Sequence, residues 1–426
     1  MHITTVSQQL ETFSSWYQGE FPASVNRLRL IGLEKEYPVT NKDGEAGDIR
    51  VVFPDLIKAG WEPVYDDYYR DVVLAVRKYS FEVTTDAGWC TLEISGPPIT
   101  SILEGVQAFA RVEQEVVHAA ARHGLMVLGY GIQPLTLAHQ RLWIIKRRHE
   151  VIRRVLPPEI SAITVTASDQ VHVDFARHEL VDAINVFNAL TGVVGLFFGN
   201  SPIHGGGIDE LGRHVVREDS WRHAGIERSG IPEERFESDR HLMAYLLGLD
   251  FLIAKTATDY ETPQVPFFEW MEGQTFRDWQ HGFMFHEASV WLNARPRVLY
   301  KTVEMRAACS QRAGEHAQLA ALMMGLAEML PAVKALVCDR GAWSYWHSLK
   351  SAATMGHWGM PPRLFMSELL RLADEGLRRR GLHEEVLLPP LWDRLEERRN
   401  PASEALHVFE RGGLSALIDL VAIKPE

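Results

Sequence analysis

The sequence predicts an α+β fold in which one antiparallel or mixed sheet is backed by helices on one face and left open as a cleft on the other. Two observations carry this. First, four short apolar segments each place polar side chains two residues apart, the repeat of a strand with two unlike faces. They hold Glu34 and Glu36, Glu93 and Ser95, His172 and Asp174, and Glu304 and Arg306. Second, the segments lie too far apart in the chain for simple hairpins, and helical patterns separate them. If these strands share a sheet, their carboxylates converge, and like charges on a partly buried surface repel by several kcal/mol. Divalent cations relieve that repulsion. An all-oxygen cluster with at most one imidazole suits Mg²⁺ or Mn²⁺ rather than Zn²⁺, and Mg²⁺ held by carboxylates usually keeps a nucleotide phosphate in its shell. For any single segment, outward solvated carboxylates are the ordinary alternative; four together favour a site.

Taken in order, the chain opens with a short helix, and the first functional strand is expected to end at Pro38. Thr40-Asn-Lys-Asp-Gly-Glu45 then reads as a turn-rich loop placed to cover a site. Ser101-Ile-Leu-Glu104 is a capping-box pattern, and apolar positions from Leu103 to Ala120 repeat at helical spacing until Gly124. That helix should lie on the apolar face of the sheet. Further helices are expected at about Glu179 to Phe197, His241 to Ile253 and His316 to Val337, the last interrupted by Pro331. From about Pro362 the chain reads as helical and charged, punctuated at Pro389-Pro390 and Asn400-Pro401. No repeat or flexible linker is visible, so residues 1–426 read as a single catalytic domain, with a core over about 25–340 and a helical part over about 341–426.

Composition narrows the function classes. Lys and Arg number 44 against 56 Asp and Glu, a net charge of −12 without a long basic run, so nucleic acid is not the expected partner. Cys90, Cys309 and Cys338 have no CxxC spacing, which indicates neither a disulfide framework nor a zinc ribbon and fits a reducing cytoplasm. The first residues lack the basic and apolar regions of a secretory leader. The most apolar run, Leu190 to Phe198, is about half the roughly 20 residues a membrane span needs. The expectation is a soluble cytoplasmic protein acting on small molecules, with no membrane partner and an oligomeric state left open.

The motifs resemble those of the glutamate-cysteine ligase family, most nearly its plant-type branch. Gly32-Leu-Glu-Lys-Glu36, Leu92-Glu-Ile-Ser-Gly-Pro-Pro98, Gln170-Val-His-Val-Asp-Phe175 and Val303-Glu-Met-Arg306 are similar to its acidic and phosphate strands, in the family's order. Gly199-Asn-Ser-Pro202, Arg217-x-x-x-Trp221 followed by Arg228, and Gly376-Leu-Arg-Arg-Arg-Gly381 are similar to its other segments. The resemblance implies a glutamine-synthetase-like fold and ATP-dependent joining of a carboxylate to an amine through an acyl phosphate. Glutamate and cysteine are the implied amino-acid substrates, in glutathione biosynthesis. A sister ligase with another amine and a non-catalytic ATP-binding relative remain alternatives, the retained acidic set arguing against the second.

Phosphoryl transfer needs metal holders, a cation on the moving phosphate and a clamp for the acceptor. The residues fit those needs: Glu34, Glu36, Glu93, His172 and Glu304 as metal holders, with Glu34, Glu304 and Arg306 as the catalytic set. Arg306 would lie on the γ-phosphate with a fork that Lys cannot reproduce, and Gln170 joins it toward ATP. Asp86, seven residues before Glu93, reads either as a ligand or as a solvated turn aspartate beside Gly88. Arg217 and Trp221 match the family's pair around the amino-acid substrate, with Arg228 and Arg148 as further substrate candidates; core packing is the plain alternative for Trp221. Arg147 reads as part of a solvated face. Val165-Thr166, Trp143-Ile-Ile-Lys146 and Arg306-Ala-Ala-Cys309 depart from the plant pattern, so the phosphate end is retained and the amino-acid end altered.

Overall fold

A computed structural model describes residues 2–25 and 28–426, with side chains from residue 9 onward. Its centre is a nine-stranded sheet built from β1 (Ile31–Asn41), β2 (Glu62–Tyr65), β3 (Val73–Lys78), β4 (Phe81–Thr85), β5 (Thr91–Ser95), β6 (Leu125–Val127), β7 (Ser168–Asp174), β8 (Ala294–Arg297) and β9 (Thr302–Cys309). The order is β8-β9-β7-β1-β5-β4-β3-β2, with β6 paired to the far end of β1, and every pairing in this sheet is antiparallel. The four strands expected to share a sheet therefore do so, as immediate neighbours.

β1 does not end at Pro38. It continues to Asn41 because it changes partner there: Pro38 opposite Thr91 is its last pair with β5, and Val39 opposite Val127 its first with β6. The missing N–H of proline falls at the junction between two ladders, where its loss is tolerated. The following turn is held by Asn41, whose Oδ1 accepts from the N–H groups of Asp43 and Glu45. It does not cover the cleft; Gly44 packs against Leu414 and Ile418 of the last helix.

Leu33, Tyr37, Leu92, Ile94, Val171, Val173, Val303 and Met305 form the buried back of the sheet. The helices Ile102–Arg122, Leu180–Ala189 and His316–Glu328 add Phe109, Val116, Ile184 and Leu322 to the same core. The Ser101 cap forms as expected, its Oγ accepting from Glu104 N–H at 3.3 Å. The helix expected at Glu179 to Phe197 is two, Leu180–Ala189 and Thr191–Phe198, bent by 48° at Leu190. The one expected at His241 to Ile253 spans Asp239–Gly248. Pro331 does break its segment, which turns by 88° between His316–Glu328 and Leu330–Cys338. Among the described residues no single helix is long and apolar enough to cross a membrane.

The tail segment Gly376–Gly381 serves packing. A Cβ on Gly376 would lie 2.1 Å from Gly325 O, so the helices Arg363–Arg380 and His316–Glu328 touch backbone to backbone. Arg380 bonds Glu384, Glu328 and the carbonyl of Thr100, while Glu384 accepts from Ile102 N–H, tying the tail to the first turn of the helix behind the sheet.

Candidate active site

Strand register alone brings the acidic groups together. Glu36 is opposite Glu93, Glu34 is opposite both Ser95 and Gln170, and His172 is opposite Glu304. Directly paired residues share a face of the sheet. Ligand atoms of Glu34, Glu36 and Glu93 consequently lie within 4.8 Å of one another. They form the floor of a cleft of about 600 Å³, whose opposite end carries Arg295, Arg297 and Arg306.

Two of the three carboxylates are held by hydrogen bonds. Glu36 accepts from Ser168 N–H and Oγ–H at 2.7 and 2.9 Å and from Gln170 Nε2 at 2.7 Å, and Glu93 accepts from Ser95 Oγ at 3.1 Å. Burial, followed by the charge of Glu304, raises Glu34 to about 7; burial, followed by Asp86, raises Glu36 to about 8. Burial and Glu34 push Glu93 well above the usual carboxylate range. The floor is thus a set of oxygen donors short of positive charge, and Gln170 Oε1 is buried there without a hydrogen-bond partner. These donors fit a hard divalent cation of the Mg²⁺ or Mn²⁺ type.

A pH dependence follows from these shifts. The unfolded carboxylate titrates near about 4.3, so between that value and the folded values of about 7 and 8 the folded chain binds more protons. Stability from these groups is therefore complete at low pH and lost as pH rises toward about 8. Calorimetry should show Mg²⁺ raising Tm more near pH 8 than near pH 6, because the cation replaces the missing protons. An equal rise at both would disconnect these carboxylates from the metal.

His172 has Nδ1 hydrogen bonded to Thr302 Oγ1 at 3.2 Å, while Nε2 lies 3.9 Å from Glu34 and 3.7 Å from Glu304. Burial lowers its pKa to about 4, leaving a neutral imidazole fixed by its second nitrogen, the state a metal ligand requires. Asp174, two residues on, does not join the site; it accepts from Leu30 N–H. Asp86 follows β4 in a turn yet lines the cleft, so it is not a solvated turn residue.

Glu304 is placed differently from the other expected metal holders. Its carboxylate is 1% exposed and receives Arg295 at 2.9 Å, Arg306 at 2.8 Å and Arg297 at 2.6 Å. Burial alone would raise it, but Arg295 and Arg297 outweigh burial and hold it well below the usual range. In this structure Glu304 organises three guanidinium groups. Arg306 is further fixed by Trp221, whose ring lies 4.7 Å below its guanidinium and packs 5.8 Å from Trp291. Trp221 is thus both core and cleft wall.

Neither Arg217 nor Arg228 lines the cleft, although the charge of Arg217 reaches Glu36 and Asp86 from beneath its floor. Arg217 sits in the buried helix Val216–Ser220, 1% exposed, with Nε and Nη2 unpartnered and Glu218 4.0 Å away. Its backbone N–H donates to Ser201 Oγ, which turns this segment inward; Asn200 beside it bonds the carbonyls of Gly129 and Ser310. Arg228 is buried against the carbonyls of Ser289 and Asp250. Sequence spacing gave their neighbours but not their depth. Arg147, expected to be solvated, is paired with Asp259, whereas Arg148 does line the cleft.

Sequence reasoning missed Arg295, Arg297, Trp291 and Tyr300 and named Lys146 only within an altered segment; all five are in the cleft lining. Ala294-Arg-Pro-Arg297 carries the same two-residue spacing as the other strands, but Pro296 hides it. β8 is an edge strand, where proline is accepted. The other three gave no periodic signal.

No curated protein sequence matches the chain. Among solved structures it is similar to a glutamate–cysteine ligase from Francisella tularensis in complex with AMP, at 11% identity and TM-score 0.53, covering 93% of this chain and 88% of that one. It is also similar to a bifunctional glutathione synthetase from Pasteurella multocida, at 10% identity and TM-score 0.52, covering 97% of this chain and 52% of that one. At such identities these matches establish the shared fold, which is the glutamine-synthetase-like one expected. The sequence model of glutamate-cysteine ligase family 2 matches residues 30–353, a span that contains every strand of the cleft floor. The chain therefore belongs to glutamate-cysteine ligase family 2 and is, at the level that membership fixes, an ATP-dependent carboxylate–amine ligase.

Proposed function

We propose that the protein activates the γ-carboxylate of glutamate with ATP and joins it to an amine, with cysteine as the first candidate. The supporting observation is the division of one cleft floor into a three-carboxylate cluster and a three-arginine cluster two strands apart. In this reading Glu34, Glu36 and Glu93, with His172 and Asp86 beside them, would hold Mg²⁺ or Mn²⁺, which when bound neutralises the triphosphate and links it to the carboxylate floor. Arg306, held by Glu304 and Trp221, faces the phosphoryl group as it moves. The acceptor carboxylate attacks the γ-phosphorus as the bond to ADP breaks; the amine then attacks the acyl carbon, loses a proton and releases phosphate. A different amine is favoured by one feature, the altered segments Trp143–Lys146 and Arg306–Cys309.

The test is ADP release with each amino acid as acid against a panel of amines, with mass spectrometry of the product. Glutamate-dependent ADP release and a γ-glutamyl product are expected. Amine-dependent ADP release with a different acid would replace glutamate, and none with any pair would remove the catalytic reading.

A further inference from the structure

The joining step leaves one task without a residue. An amine enters as its ammonium ion at neutral pH and must give up a proton before its nitrogen can attack, so a group in the cleft has to take that proton. In the reading above the floor carboxylates and Asp86 are committed to the cation, while Glu82 is paired with Arg77 and His172 is fixed by Thr302. Burial lowers the pKa of Lys146, but Glu93, Asp86 and Glu82 favour its charged form. Tyr300 is 56% exposed and has the Arg297 guanidinium over its ring. Among the described residues of the cleft lining, His149 is then the titratable group with no other task.

His149 belongs to the short helix Arg147–Ile152 and lines the cleft wall. Its ring stands edge-on to Trp143 at 5.6 Å, and Trp143 is itself pinned by Nε1 donating to Ser161 Oγ at 3.1 Å. Nδ1 is buried without a hydrogen-bond partner, and among the described residues no side chain bonds the ring. The imidazole is thus held by packing, with its capacity to accept a proton unspent. The charges that act on it are those of Lys146, Arg148 and Arg153, all cations. Glu150, its neighbour in the helix, bonds Arg147 and Tyr69 instead. Burial and then those cations hold the ring well below the usual histidine range, so it is neutral before substrates arrive. A bound triphosphate and an acyl phosphate bring negative charge that offsets the cations and moves the ring toward the pH at which a base works best.

We infer that His149 is the general base of the joining step, taking from the incoming ammonium the proton that frees its nitrogen to attack. This rests on the ligase reading above. The ammonium gives one proton to the imidazole, and the freed electron pair forms the bond to the acyl carbon. The acyl C–O bond breaks, its electron pair leaves with phosphate, and a second proton passes from nitrogen to that phosphate. The imidazolium returns its proton to solvent as the product departs.

The experiment compares two amines with glutamate and ATP. One is cysteine, or whichever amine of the panel above replaces it, which arrives as an ammonium ion; the other is hydroxylamine, a weak base that arrives largely with its electron pair free. His149→Gln should lower kcat with the first by about 10² to 10⁴, the scale of one general base. The loss with hydroxylamine should be smaller by at least about tenfold, and KM for ATP should stay nearly unchanged. The pH profile of kcat with the first amine should lose its basic-side rise in the variant. Added imidazole should restore at least about tenfold to His149→Ala with the first amine and do nothing for wild type, which a misfolded site would not show. Equal losses with the two amines would make His149 a packing partner of Trp143 and overturn the inference, as would a loss below about tenfold with the first amine. An amine-selective loss in Lys146→Met that is absent from His149→Gln would move the role to Lys146 and also overturn it. No product from wild type with any amine would instead remove the ligase reading, and this inference with it.

Discussion

Glu34→Gln is expected to lower turnover by at least about 10³-fold while leaving the protein, without divalent cation near pH 8, as stable as wild type or more so. The first half follows from position: Glu34 belongs to the three-carboxylate cluster and also lies 3.9 Å from His172 Nε2. Losing one charged ligand on the phosphoryl-transfer floor should remove about 4 kcal/mol of transition-state stabilisation, and each 1.36 kcal/mol is about tenfold in rate. The second half follows from repulsion, because burial and Glu304 already raise the Glu34 carboxyl to about 7. A neutral amide of the same shape relieves that. Steady-state kinetics and thermal unfolding on one preparation check both halves, and near-normal turnover would break the metal assignment.

Arg306→Lys should lose about 10² to 10³ in kcat, the scale of one electrostatic donor aimed at developing charge, with KM for ATP moving less. Lysine keeps the charge but not the geometry. The guanidinium bonds Glu304 through Nη1 and lays its plane over the Trp221 ring, and an ammonium has no planar face with which to keep both contacts. A variant with normal kcat and only weakened ATP affinity would show that Arg306 positions nucleotide and takes no part in the transfer.

How far the site was legible depended on whether its signal was local. Glu34, Glu36, Glu93, His172, Glu304 and Arg306 announce themselves by two-residue spacing in apolar runs, and antiparallel register does the rest. Arg295 and Arg297 carry the same spacing, but Pro296 breaks the strand reading, and only the place of β8 at the sheet edge restores it. The depth of Arg217 and Arg228 is a property of tertiary packing around Ser201 and Ser289, on which chain spacing is silent. The same holds for Pro38, whose strand continues because a second partner waits beyond it. The meander β2 to β4 was not foreseen, since Glu62–Tyr65 and Val73–Lys78 have partly exposed, mixed faces.

One irregularity in the floor is a shift of register. Between β9 and β7, Met305 pairs with Val171 but Ala308 pairs with Asp169, so β9 holds one extra residue immediately after Arg306. Such bulges re-aim side chains and reverse which face the rest of the strand presents. Here the shift sets Cys309 opposite Ser168, whose hydroxyl bonds Glu36 of the cleft floor, where a regular ladder would have set Ala308. For protein engineering this makes residues 305–308 the wrong place for a crossover or a deletion. Removing one residue would restore a regular ladder and exchange the cleft-facing and interior side chains beyond it. A recombination library that respects this joint can vary the cleft walls freely; one that cuts across it will discard the active enzymes together with the folded ones.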